Sequence, residues 1–295
     1  MIGTKEFNKK ITSLKNTRKM TKTMKMVSAS KFRRAHKAQL SAEEYAHKLT
    51  ALMGRLFNFG SVTHPLLMTK KAVTKSLIVL FTSDKGLCGG FNNNLIRKTR
   101  NWIKENPYKY TTIGMSFCGR RGYMSFRRTA KINKYYENIT MKPTFSDAQK
   151  VAQDISEDVI MGNYEEVYLA YNRFDGPLSQ TPVIEKILPL DDSLIRKSAT
   201  VPTDKKSPKL QNYSFEPEEK EILHFMIPKF LNFKIFFTLL ENAAGEHGAR
   251  MAAMDKASTN TADLIDRYTL LRNRARQAAI TTELIEIISG AEALK

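Results

Sequence analysis

The residues best placed to do chemistry lie in one stretch, Ser83 to Asn92 (SDKGLCGGFN), directly after an apolar run. A glycine-rich turn between a strand and a helix is where α/β folds often hold phosphate, because free backbone N–H groups can close around an anion. The stretch is neither G-x-G-x-x-G nor G-x-x-x-x-G-K-[ST], and no Lys-Ser or Lys-Thr follows its glycines. A tight strand-to-helix turn that uses Gly86, Gly89 and Gly90 for backbone freedom is the better reading. Cys88 has the chemistry of a nucleophile, but no histidine lies near it in sequence to activate it, so it reads as a small packing residue.

The remaining candidates are weaker. His36, His47, His64, His224 and His247 show no metal-ligand spacing. His36 and His47 share a helix face yet stand ~16 Å apart along it, too far for one ion. No Ser–His–Asp order and no carboxylate pair stands out. Cys88 and Cys118, the two cysteines, form neither a disulfide framework nor a metal site and suit a reducing compartment. The expectation is no catalytic residue, no cofactor and no metal.

Charge carries more information than the site candidates do. Lys and Arg number 48 against 29 Asp and Glu, a formal charge of +19 over 295 residues. Basic residues crowd Met1 to Leu40, where Glu6 is the lone acid, and Lys85 to Lys134, where Glu105 is. Blocks of this kind imply an acidic partner: nucleic acid, an anionic membrane surface or the acidic face of a protein. A solvated helical face would look the same. No uninterrupted apolar run approaches the ~18–20 residues of a membrane span, and no apolar segment of signal type follows Met1.

The elements that must position these residues fall into three parts. Thr4 to Met53 contains no Gly and no Pro, enough for one helix of ~75 Å. Phe7, Ile11 and Leu14, then Met20, Met24 and Val27, give it a narrow apolar stripe, the mark of a coiled-coil seam. The far end mirrors it: Met254, Ala257, Thr261, Leu264, Tyr268, Leu271, Ala275 and Ala278 step by three and four. Pro228 should kink that helix or mark a break near its start. Pairing the two ends requires an antiparallel arrangement. Between them, short β-branched runs (Ser76–Thr82, Thr111–Phe117, Lys131–Tyr136, Glu166–Tyr171, Val183–Leu188) alternate with helical stretches near Asn92–Glu105, Gly119–Arg127 and Ser146–Met161. That alternation predicts a mostly parallel, Rossmann-like sheet. The expected class is α/β, with residues 1–58 and 212–295 as coiled-coil helices around a central domain at 74–208. Asp191 to Gln211 reads as a polar linker.

Three segments resemble the gamma subunit of F-type ATP synthases. They are Ile11–Ala35 (ITSLKNTRKMTKTMKMVSASKFRRA), SDKGLCGGFN, and Glu246–Leu294 with ARMAAMDKAS and RQAAITTELIEIISGAEAL. Within the last, Thr281, Glu283, Glu286, Gly290 and Ala291 fit the family's C-terminal signature. Gly245 stands where the family often has Ser. The basic start falls in register with the family's mature helix, which argues against a transit peptide, and the cysteine-bearing insertion of chloroplast relatives is absent.

The resemblance implies a rotary shaft. The paired helices would run through a hexameric head of alpha and beta subunits, and the central domain would lie against the epsilon subunit and the membrane ring of c subunits. Proton flow would turn the shaft, and catalysis would belong to beta. Arg276, Gln277, Thr281 and Glu283 are then expected to meet beta loops, with Arg250 a further contact and Met24 and Lys25 near an acidic collar of beta. The implied location is peripheral, at the cytoplasmic face of the bacterial inner (plasma) membrane. The alternatives are a nucleic-acid-binding protein using its basic helix, which lacks a recognisable module, and a nucleotide-dependent enzyme, which lacks the fingerprint.

Overall fold

The computed structural model describes residues 4–59, 64–68, 73–190 and 219–292, so the expected linker lies outside the described residues. The helix expected from the Gly- and Pro-free stretch forms as α1, Thr4–Phe59. It is followed by β1 (Lys75–Phe81), α2 (Phe91–Glu105), β2 (Thr112–Cys118), α3 (Arg120–Phe126), β3 (Lys131–Tyr136), α4 (Phe145–Ile160), β4 (Glu166–Phe174), β5 (Gln180–Leu188) and α5 (Glu219–Glu292). Two compact units result, Met1–Ala29 with Arg250–Lys295, and Ser30–Ala249.

In the second unit the strands order as β3-β2-β1-β4-β5, with every pair parallel except the β4–β5 hairpin. The central strand β1 (KSLIVLF) is buried at every residue but Lys75. A strand with helices on both faces needs no polar side, which is why its sequence is a continuous apolar run. Alternate residues divide two cores. Leu77, Val79 and Phe81 pack with Val151 and Ile155 of α4 and with α5, while Ile78 and Leu80 pack with Leu95 of α2 and Phe126 of α3. The helix α4 begins at a reciprocal cap between Thr144 and Asp147, which satisfies backbone donors that would otherwise be orphaned. Gly119 precedes α3 at φ +106°, and a Cβ there would stand 2.1 Å from the Thr82 carbonyl oxygen, so no other residue fits.

Part of α5 is long and apolar enough by composition to cross a membrane, with a mean hydropathy of 1.3 over its richest window. Its Leu223, Ile227, Leu231, Ile235 and Leu239 recur every four residues and are all fully buried in the sheet's core. The stripe therefore covers the sheet, and the intervening lysines stay at its edge. The helix runs on both sides of Pro228 rather than starting there.

The first unit pairs the start of α1 with the second half of α5. Lys25 Nζ lies 2.6 Å from Asp255 Oδ1, and Arg272 Nη1 donates to Asn8 Oδ1 at 3.4 Å, so one helix descends as the other climbs. Phe7 meets the Tyr268 ring at 6.3 Å between centroids. The seam keeps the expected Phe7, Ile11, Met254 and Thr261, and departs from the expected one by a residue at three places. Phe7, Ile11, Thr21 and Ser28 are buried, whereas Met20 and Val27 are 65% and 51% exposed. On α5, Ile265 is buried where Leu264 was expected, and Leu264 is 40% exposed. Small side chains at Thr21 and Ser28 let the helices approach, and the large apolar residues beside them turn outward.

Candidate partner-contact surface

Side chains within the Ser83–Asn92 turn bond one another, and a cavity of about 600 Å³ opens beside it, lined by Gly86, Cys88, Gly89, Arg97, Arg100 and Arg121. Asn92, 6% exposed, accepts from the Ser83 N–H at 2.9 Å and donates through Nδ2 to Ser83 Oγ at 2.7 Å and Cys88 Sγ at 3.1 Å. Ser83 Oγ donates in turn to the Lys85 carbonyl at 2.6 Å. Asp84 accepts from the Arg120 N–H at 3.0 Å and from Thr140 Oγ1 at 2.8 Å, tying the turn to α3 and to the segment after β3. Cys88 is 2% exposed, which suits packing and not attack on a substrate. Of the three glycines only Gly89 takes a positive φ, 58°, and Leu87 unexpectedly takes another, 65°. At Gly86 a Cβ would press within 2.5 Å of the Arg121 guanidinium, and at Gly90 within 2.8 Å of the Asn94 amide. Both neighbours are ends of exposed side chains that can swing away, so of the three only Gly89 has a conformation that favours glycine.

The histidines do not assemble a metal site: no group of three or more potential ligands occurs among the described residues. His64 and His224 do meet, ring centroids 4.7 Å apart, and the Leu66 N–H donates to His64 Nδ1 at 3.1 Å. Burial, with the neighbouring His224, lowers the His64 pKa and favours the neutral ring.

The expected contact residues fall into two groups. Arg276, Gln277, Thr281 and Glu283 are all exposed on the last turns of α5. At 100° per residue they span about 160° of the helix circumference, so any grip on them must wrap around the helix. Ile280, Leu284, Ile287 and Ile288 follow an i, i+4, i+7, i+8 spacing and lie between them, 53%, 54%, 72% and 54% exposed. Every residue from Arg276 to Ala291 is exposed. Met24, Lys25 and Arg250 lie ~40 Å earlier along the helix pair. Met24 is half-buried, Lys25 is held by Asp255, and Arg250 is buried. At Gly245 the Phe91 ring lies 3.0 Å from where a Cβ would be, so the Ser common in the family would need that ring to give way.

One cluster escaped the sequence reading. Glu166, 6% exposed, accepts from Tyr110 Oη, from Tyr168 Oη at 2.9 Å, from Lys109 Nζ at 3.1 Å and from Lys186 Nζ at 2.9 Å. Burial opposes its charge, yet hydrogen bonds from Tyr110, Lys186, Tyr168 and Lys109 outweigh it and hold the carboxyl at about 2. With Trp102 against Tyr168, this is a polar knot around a buried carboxylate, open to solvent at Lys109.

The arrangement defines a class: a partner-binding subunit built from a helix pair and a covered α/β sheet, with an apolar stripe exposed at a helix end. A family model described as ATP synthase matches residues 3–294. The ATP synthase gamma chain of Geobacter metallireducens is 40% identical over 295 residues, covering all of both chains. That of Geotalea daltonii is 40% identical over the same full length. Among solved structures, the fold resembles a chain of the Euglena gracilis mitochondrial ATP synthase rotor, with TM-score 0.64 and 20% identity, covering 94% of this chain and 98% of that one. A chain of the Tetrahymena thermophila mitochondrial central stalk and c-ring gives TM-score 0.58 and 24% identity, covering 81% and 99%. The chain belongs to the ATP synthase gamma chain family. It is accordingly a non-catalytic subunit with a rotor role, in a membrane-associated complex whose ATP chemistry resides on beta subunits.

Proposed function

We propose that the chain is the central shaft joining a hexameric head of alpha and beta subunits to the ring of c subunits, with epsilon against its α/β part. The functional division is into an N-terminal helix at 1–58, a central domain at 74–208 and a C-terminal helix at 212–295. The complex sits peripherally at the cytoplasmic face of a bacterial inner membrane and couples to protons. The observation that carries this reading is the end of α5, where apolar and polar side chains stand exposed together. A lone helix with an apolar stripe is costly in water and points to a partner that covers it.

Arg276, Gln277, Thr281 and Glu283 then grip beta loops, Arg250 adds a contact, and Met24 and Lys25 face an acidic collar. A shaft of this kind works by making contacts of different energy with different conformations of its neighbours, which is what shifts their populations. The basic surface of the second unit, with Arg120, Arg127 and Arg128 exposed, faces acidic groups at the base. Co-purification with the tagged chain tests the reading. Recovery of alpha, beta, epsilon and c subunits is expected, and salt-sensitive recovery of RNA or DNA in their place would overturn it.

A further inference from the structure

A cavity of about 350 Å³ lies between α1, the β4–β5 hairpin and α5, entirely within the second unit. Its walls are of two kinds. Phe230, Phe233 and Phe237 of α5 and Phe174 of β4 supply aromatic surface. Its carboxylates are Glu43 of α1, Glu185 of β5 and Glu241 of α5.

The positive charges that reach this cavity are already committed. Lys234 pairs with Glu185 at 2.9 Å, Lys186 with Glu166 at 2.9 Å and Arg173 with Asp175 at 2.9 Å. Glu43 accepts from the Gln39 amide at 3.3 Å and stands 3.9 Å from His47. Glu241 is 7% exposed, and its carboxylate accepts from the Phe174 N–H at 3.4 Å. Among the described residues no base lies within ion-pair distance of it. Gln39 is 5% exposed, and its Oε1 has no hydrogen-bond partner among the described residues. A buried carboxylate without a counter-ion is expensive, and aromatic faces attract a cation once it is desolvated. A hard cation such as Ca²⁺ or Mg²⁺ would want about six oxygen ligands, which aromatic walls do not give, and no group of three His, Cys, Asp or Glu placed to hold a metal occurs among the described residues.

We propose that this cavity binds a small organic ammonium ion, with its apolar body against Phe230, Phe233 and Phe237 and its charge on Glu241. The pH response follows from the same groups. Burial raises Glu241 to about 7; the Phe174 N–H and Lys234 pull it down, and Glu185 and Glu43 push it up. A cation therefore binds best above that value, where the carboxyl is ionised. His47 also lines the cavity, so pH alone does not assign the effect.

Benzyltrimethylammonium, whose charge does not titrate, is the probe, followed by calorimetry on the purified full-length chain. Saturable one-to-one binding is expected at pH 8, weakening about tenfold at pH 6 as Glu241 takes up its proton. Glu241→Gln keeps the shape and removes the charge. It should cost at least tenfold in affinity at pH 8 and flatten the pH response, with circular dichroism unchanged. Phe233→Leu keeps an apolar wall without the ring face and should weaken binding several-fold. No uptake at millimolar probe by the folded wild-type chain, or wild-type affinity in Glu241→Gln, overturns the proposal.

Discussion

The sheet unit and the helix pair are stabilised in different ways. In the sheet unit Leu77, Val79, Leu80, Phe81, Phe117 and Leu169 have no exposed surface at all, and helices close both faces. In the helix pair burial is confined to a line one residue wide, and that line includes Thr21, Ser28 and Thr261. The first arrangement holds its stability internally, where substitution leaves a cavity. The second leaves most of its surface outward, so much of its energy is available for partners. A subunit whose task is to act on neighbours needs both: a rigid anchor and an exposed lever.

Phe117→Ala should show the largest effect, since the ring is fully buried and packs against Tyr123 and Phe126. A loss of about 3–5 kcal/mol is expected, read from urea unfolding followed by the fluorescence of Trp102. A loss below about 1 kcal/mol, the range of surface changes, would break the contrast between the units.

Glu166→Gln comes next. The native carboxyl is held at about 2 against an ordinary 4.5, so its charged form stabilises the fold above pH 4.5. That contribution fades as pH falls through 4.5 toward 2. By linkage it amounts to about 3 kcal/mol. The variant should be less stable at pH 7, and its stability should depend less on pH below 4.5. Equal acid sensitivity in both proteins would show that the knot around Glu166 is not a source of stability.

Ile265→Ala, at the 9% exposed seam position of α5, should cost about 2 kcal/mol, the low end for a core truncation because the seam can partly close. Circular dichroism during thermal unfolding reads this, and Leu264→Ala is the control. A larger loss from Leu264→Ala would restore the register expected from apolarity alone. The smallest effect belongs to Ile287→Ala. At 72% exposure it should alter the stability of the isolated chain by no more than about 0.5 kcal/mol. A greater loss would mean that the tip packs within the chain after all.

Legibility in the sequence follows the same contrast. Ser76–Thr82 and the later runs announced each described strand to within a few residues; burial on both faces explains the apolar run of β1, whereas the edge strand β3 (KINKYY) has no buried residue. The seam was legible in period, and in register at Phe7, Ile11, Met254 and Thr261, but not throughout. Apolarity pointed to Met20, Val27 and Leu264, while close approach favoured Thr21 and Ser28, whose burial carries no hydrophobic signal. The knot at Glu166 was invisible, since an acid in a strand reads as surface until Lys109, Tyr110 and Lys186 arrive from other strands and their flanks. The tip residues Arg276, Gln277, Thr281 and Glu283 came from family resemblance alone. Nothing in their types or spacing distinguishes them from an ordinary solvated helix face.

On the proposed function, this exposed tip transmits force without doing chemistry. The direct test is alanine at Arg276, Gln277, Thr281 and Glu283 together, in the assembled complex in membrane vesicles, with assembly verified first. Under the proposed grip each polar contact would contribute about 0.5–1.5 kcal/mol, more where charge takes part, so losing four would shrink the energy difference the shaft can impose on beta conformations. Slow ATP hydrolysis should persist while proton-driven synthesis and ATP-driven proton pumping fall by tenfold or more. Wild-type synthesis and pumping in a fully assembled variant would contradict the claim and move the coupling contacts elsewhere on the helix pair.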